Sequence, residues 1–212
     1  IENYIDASRC YYIDKTLLIK DLIERDLGST VLITRPRRFG KSLALSMIET
    51  YFDRNLDSHP YFDGKSLANQ FDGYESYINS APVIHLNMKA ITASSAEEFY
   101  DQVGLEMSKL FIANYDLLAN GVTPFEMKNI DDLAMQAASK SVLMNSLALL
   151  SSYLKKATGR KVVLLIDEYD TPIQSAYDSG YYSDAINFCK SFYTSALKGN
   201  DDTLRLVITG VV

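Results

Sequence analysis

The sequence predicts an α/β fold, a mostly parallel sheet with helices on both faces. Two observations carry this. Four apolar runs with strand character, "STVLITR", "APVIHLNM", "RKVVLLIDEYD" and "TLRLVITG", recur along the chain, and stretches with helical spacing separate them. Strands alternating with helices point to a sheet covered on both sides. With 212 residues, 47% of them hydrophobic and 23% charged, the chain can bury a sizeable core without disulfides or structural metals.

Each element has its own signal. The opening "ENYIDASRCYYIDKT" mixes aromatic and small polar residues and predicts a short extended piece. "KTLLIKDLIERDLG" repeats apolar residues four apart (Leu18 and Leu22, Ile19 and Ile23) and ends at Gly28, so it predicts a helix. "STVLITR" predicts a buried strand. "KSLALSMIETYFDRN" returns to helical spacing through Leu43, Met47 and Leu45, Ile48, Phe52. Residues 53–80, rich in Asp, Gly, Asn, Ser and Tyr, predict loop with short helical turns. After the strand "APVIHLNM", Ser94 and Glu97 form a capping-box pattern that should open one long helix ending near Gly121. A further helical stretch covers about 131–158, with a break near Ser139 to Ser141. "SDAINFCKSFYTSALKGN" is amphipathic and helical, between the strands "RKVVLLIDEYD" and "TLRLVITG".

Bulk properties exclude several roles. A net charge of −6 gives the surface no general attraction for nucleic acid. Cys10 and Cys189 show no paired spacing, which suits thiols in a reducing cytosol, so a cytoplasmic location is expected. No apolar run approaches the about 18 residues of a membrane span, and no basic-then-apolar signal segment opens the chain. The start at Ile1, not Met, suggests residues before it.

The chemistry concentrates in "TRPRRFGKS", residues 34 to 42. A phosphate-cradling P-loop has the form G-x-x-x-x-G-K-[ST] between a strand and a helix. Backbone N–H groups and the helix N-terminus receive phosphate oxygens, a lysine supplies positive charge, and a hydroxyl holds Mg2+. Gly40, Lys41 and Ser42 fit these roles, and Phe39 and Leu43 flank them. Arg35 stands where the first glycine belongs, and Pro36 after it biases Arg35 toward extended backbone. A lone Gly-Lys-Ser also occurs by chance on solvated loops. Arg37 and Arg38 could grip phosphate or brace the loop against acids.

A second element supports the nucleotide reading. In "VVLLIDEYD" the apolar strand ends in Asp167 and Glu168, suited to hold Mg2+ and to polarise an attacking water as general base. Ligands of open α/β sheets bind beyond the carboxyl ends of the strands, where both elements would meet. Thr209, ending "LRLVITG", fits a sensor contacting water or γ-phosphate and equally an ordinary strand end. Asp170 could extend the acidic edge or cap a helix at Thr171-Pro172. His85 suits a structural hydrogen bond, His59 the surface, and Tyr11, Tyr12, Tyr181 and Tyr182 a partial core.

The blocks "YYIDKT", "ITRPRRFGKSLALSMIETYF", "PVIHLNM", "VVLLIDEYDTPI" and "LRLVITGVV" resemble the predicted AAA-ATPase-like family of bacterial and archaeal proteins. That family's loop is typically written Arg-Pro-Arg-Arg-Phe-Gly-Lys-Ser, so Arg35 follows its pattern. The resemblance covers nearly the whole chain. It implies a P-loop NTPase three-layer sandwich of the additional-strand, catalytic-glutamate type across 1–212. By position, Gly40, Lys41 and Ser42 form the phosphate and Mg2+ site, and Asp167 with Glu168 the hydrolysis pair. Family members usually continue past this region into helical structure and often a restriction-endonuclease-like nuclease domain. Nucleic acid is therefore expected as a partner only through such a region.

The expected function is Mg-dependent ATP hydrolysis that drives an attached effector. The alternative is a nucleotide-binding switch with little intrinsic turnover. Self-association could supply an arginine to the site. A small-molecule phosphotransferase would carry an arginine-rich lid, and none follows the acidic strand.

Overall fold

The computed structural model describes residues 13–25, 29–36, 38–197 and 201–211. Four strands, β1 (Thr30–Thr34), β2 (Val83–Asn87), β3 (Val162–Asp167) and β4 (Thr203–Gly210), form one sheet in the order β1-β4-β3-β2, every pairing parallel. β3 is buried at all six positions, as its unbroken apolar run requires. The sheet separates two cores. Val162, Leu164 and Ile166 face one, with Ile84, Leu86, Leu206 and Ile208; Val163, Leu165 and Val207 face the other.

The second core is closed by α1 (Leu17–Ile23), α2 (Lys41–Phe52) and three short helices, α3 (His59–Phe62), α4 (Ser66–Gln70) and α5 (Tyr74–Tyr77). The short helices occupy the segment read as loop with helical turns. Buried Arg205 of β4 ties α1 to the sheet. Its guanidinium donates to the carbonyl oxygens of Leu22 and Ile23, in the last turn of the helix, where carbonyls need donor partners from outside it.

The first core is larger and takes α6 (Ala96–Ala113), α7 (Tyr115–Ala119), α8 (Pro124–Ala134), α9 (Lys140–Thr158), α10 (Thr171–Ser179) and α11 (Tyr182–Leu197). Here the expected boundaries need correction. The long helix to Gly121 is two, interrupted at Asn114, whose side chain donates to the Leu110 carbonyl. Its cap is Ser95, which accepts from the Glu98 N–H, one residue later than expected. α8 starts before residue 131, because Thr123, Pro124 and Glu126 form a full capping box with proline at the first turn. The expected break does fall at Ser139, the N-cap of α9.

β1 also departs from expectation. Among the described residues it stands at the edge of the sheet, not in its interior, and Leu32 is 52% exposed. An apolar run reports burial potential. The described residues cover only the β4 side of β1. Tyr181 joins the core and donates to the Ala93 carbonyl, but Tyr182 is exposed, edge-on to Tyr177. Cys189 is buried, which pushes its thiol up to about 12. Cys10, Tyr11, Tyr12 and Gly28 lie outside the described residues. Among the described residues no helix is long and apolar enough to cross a membrane.

Candidate functional site

The parallel order sends the carboxyl ends of all four strands to one edge, and the loop after β1 arrives there too. Gly40 caps α2 at φ 78°, and Arg38 adopts φ 68°. Glycine reaches that region freely, whereas at Arg38 it costs about 1–3 kcal/mol, a strain that recurs at binding sites. Lys41 is 7% exposed, its ammonium donating to the carbonyl oxygens of Arg35 (2.7 Å) and Pro36 (3.3 Å). Arg35, in the place of the usual first glycine, thus contributes a carbonyl that needs no special side chain. Its guanidinium donates back to the Thr34 carbonyl.

Across the edge, Asp167 ends β3 at 2% exposure. The Ser42 hydroxyl donates to its Oδ2 at 2.6 Å, closing a sequence separation of 125 residues. The Thr209 hydroxyl, fully buried at the end of β4, donates to Oδ1 of the same carboxylate. Thr209 Oγ1 also accepts from the Glu168 N–H at 3.3 Å. Glu168 adopts φ 53° and accepts from the Thr171 hydroxyl at 3.4 Å. Ser42, Asp167, Thr209 and Glu168 therefore form one connected polar group.

Behind it, His85 Nδ1 lies 2.7 Å from Glu49 Oε2 of α2. Burial works to lower the histidine pKa, but the Glu49 hydrogen bond and charge, helped by the charge of Asp167, hold it above the ordinary value. His59 is partly exposed beside Asp63 and Glu75. Asp170 stands at the N-cap position of α10 without a capping bond. Its Oδ2 instead accepts from Gln174 and from the Val211 N–H, fastening the chain after β4.

A cleft of about 640 Å³ opens between the loop and the acids, lined by Arg38, Gly40, Lys41, Ser42 and Leu43 on one side and Glu168 on the other. Arg38 forms no ion pair among the described residues, so the bracing of the loop comes from Arg35 and Lys41 through backbone carbonyls. Arg37 lies outside the described residues. Phe39 turns instead to a second cleft of about 440 Å³, shared with Leu18 and Leu32, which meets the first at Gly40 and Lys41. Three further residues of the main cleft, Lys89, Thr92 and Thr171, were not singled out from sequence. Lys89 and Thr92 follow β2 directly, so the rule that sites gather beyond strand ends marks their segment.

The oxygen donors suit a hard cation. Mg2+ is usually held by one or two carboxylates with hydroxyl, water and phosphate oxygens, and Ser42 with Asp167 supplies such a pair. Among the described residues no group of three His, Cys, Asp or Glu side chains could hold a metal alone.

A family described as "Predicted AAA-ATPase" matches residues 2–212. The chain belongs to this AAA-ATPase-like family. A protein of Azotobacter chroococcum mcd 1, described as "Uncharacterized protein in vnfD 5'region", is 29% identical over 164 residues. The match covers 77% of this chain and 26% of that protein, so the chain spans about a quarter of its relative's length. No solved structure matches.

Proposed function

We propose that this AAA-ATPase-like chain is a P-loop NTPase module of the additional-strand, catalytic-glutamate type that binds ATP with Mg2+ and hydrolyses it. One observation carries the reading. The Ser42 hydroxyl, directly after the Gly40-Lys41 turn, is bonded to Asp167 at the end of a buried strand. A chance Gly-Lys-Ser on a solvated loop has no reason to meet a buried carboxylate.

On this reading the phosphates lie in the main cleft, against the N–H groups from Gly40 to Leu43. Lys41 exchanges its carbonyl partners for the β- and γ-phosphates. Ser42 and Asp167 would hold Mg2+, which supplies charge neutralisation at the phosphates. Thr209 orients Asp167 and fixes the backbone of Glu168. The Glu168 carboxylate accepts a proton from water as the water oxygen bonds to γ-phosphorus and the bond to the ADP oxygen breaks. The nucleobase takes the adjoining apolar cleft, where Phe39 offers a stacking face. Hydrolysis would drive a conformational change in an attached effector, a nuclease being one candidate.

ATP turnover and binding by the full-length protein, with and without Glu168→Gln, tests this. Glu168→Gln should keep Mg-ATP binding while turnover falls about 100-fold or more. Equal rates would remove Glu168 from its role. Binding without turnover in the wild type would make the protein a nucleotide switch, and absence of binding would overturn the reading.

A further inference from the structure

The cleft carries one cation that the nucleotide motifs do not account for. Lys89 lies two residues beyond β2, the strand paired with β3, with Asn87 in register with Asp167. The Met88 N–H donates to the Asp167 carbonyl at 2.9 Å, extending the pairing past the strand end. The Lys89 N–H then donates to Asn87 Oδ1 at 2.9 Å, a local turn that sets where the lysine leaves the sheet. Its backbone is thereby fixed relative to the acids.

Lys89 lines the same cleft as Ser42 and Glu168. It is exposed, and among the described residues its ammonium has no acidic partner. Arg38, Lys41 and Lys89 together place three positive groups around a cleft in which Glu168 is the one acid among the described lining residues. In a chain of net charge −6 this is a local reversal of sign, and it suits a ligand with several negative charges.

The cations divide by position. Lys41 and Arg38 stand on the loop side, while Lys89 stands on the strand side with Glu168 and Thr92. A nucleotide seated on the loop would place its inner phosphates by the loop and its outermost phosphate toward Glu168. Resting on the nucleotide reading above, we infer that Lys89 binds the terminal phosphate of a nucleoside triphosphate and makes the site prefer triphosphate to diphosphate. The charge often contributed to such a phosphate by a neighbouring subunit would then come from the same chain.

The test is titration of the full-length protein with Mg-ADP and with a non-hydrolysable Mg-ATP analogue, for wild type, Lys89→Ala and Lys89→Arg. Lys89→Ala should weaken the triphosphate analogue about tenfold and leave ADP within about twofold, in line with the loss of one charge-assisted contact. Lys89→Arg should recover most of the difference. Retained ADP binding also shows that the variant is folded. Equal losses for both nucleotides, or no loss for either, would overturn the assignment of Lys89 and leave the nucleotide site standing. A wild type that bound neither would overturn the nucleotide reading, and this inference with it.

Discussion

Behind the Glu168 rim of the cleft, Asp167 and Thr209 sit at 2% and 0% exposure at the ends of neighbouring strands. On the other, Arg38, Gly40 and Ser42 are exposed, and their geometry comes from positive φ angles and from Lys41 bonded to carbonyls of its own loop. The acid rim is built by contacts between residues far apart in sequence, inherited from sheet register. The loop rim is built within nine residues, by backbone conformation. Substitutions on the acid rim should therefore disturb fold and site together, whereas those on the loop rim should act mainly through local backbone or ligand contact.

The sharpest break in that contrast comes from Asp167, which accepts from both rims. Asp167→Ala removes the acceptor of Ser42 and of Thr209 at once. Mg-dependent ATP turnover should fall about 100-fold or more, since metal charge at phosphates contributes several kcal/mol. Asp167→Asn retains the shape and loses the charge. If turnover survived in Asn but not in Ala, orientation and not metal binding would be the role of this side chain.

Thr209→Val tests the acid rim without touching a proposed ligand. The Glu168 N–H and Asp167 Oδ1 both lose a partner, and each buried orphan costs about 1–3 kcal/mol. Turnover should drop about 10–100-fold, the range for residues that orient a metal ligand. Thr209→Ser should restore most of it. Unchanged turnover in Thr209→Val would separate Thr209 from the site.

Gly40→Ala is the matching test on the loop rim. A Cβ at Gly40 would meet nothing within 4 Å, so the cost is conformational, from φ 78°. A stability loss of about 1 kcal/mol, or roughly 2–4 °C in melting temperature, is expected. A much larger shift would mean that the loop is tied into the core by more than its own hydrogen bonds.

How much of this was legible in the sequence follows the same division. The Gly40-Lys41-Ser42 turn and the Asp167-Glu168 strand end could be read directly, because local spacing and an apolar run encode them. Their meeting could be anticipated only through the rule for strand ends, and the Thr209 bond to Asp167 depends on β3 and β4 being neighbours. Lys89 was missed for that reason. The rule for strand ends marks the segment "NMKAIT" but not the residue within it, and the pairing of β2 with β3 brings Lys89 to the cleft. The place of β1 at the edge of the described sheet was likewise invisible, since Val31, Leu32 and Ile33 are as apolar as a buried strand. Asn114 and Thr123 mark the remaining misses, a helix break and a helix start where short-range capping decided against the longer apolar pattern.

The smallest expected effect lies behind the acid rim, at His85 and Glu49. A histidine whose folded pKa exceeds its unfolded value holds its proton more tightly in the folded state. Its contribution is full below the unfolded value of about 6.5 and disappears as pH rises through the folded value. The groups that raise it are Glu49 from α2 and Asp167 from β3. Glu49→Gln removes the larger of these, so wild type should exceed the variant in denaturant midpoint by more at about pH 6 than at about pH 9. The gap should close with rising pH, because neutral imidazole gains little from a carboxylate. A gap that stayed constant would show that Glu49 acts through packing on α2 and not through charge, and would detach this pair from the electrostatics of Asp167.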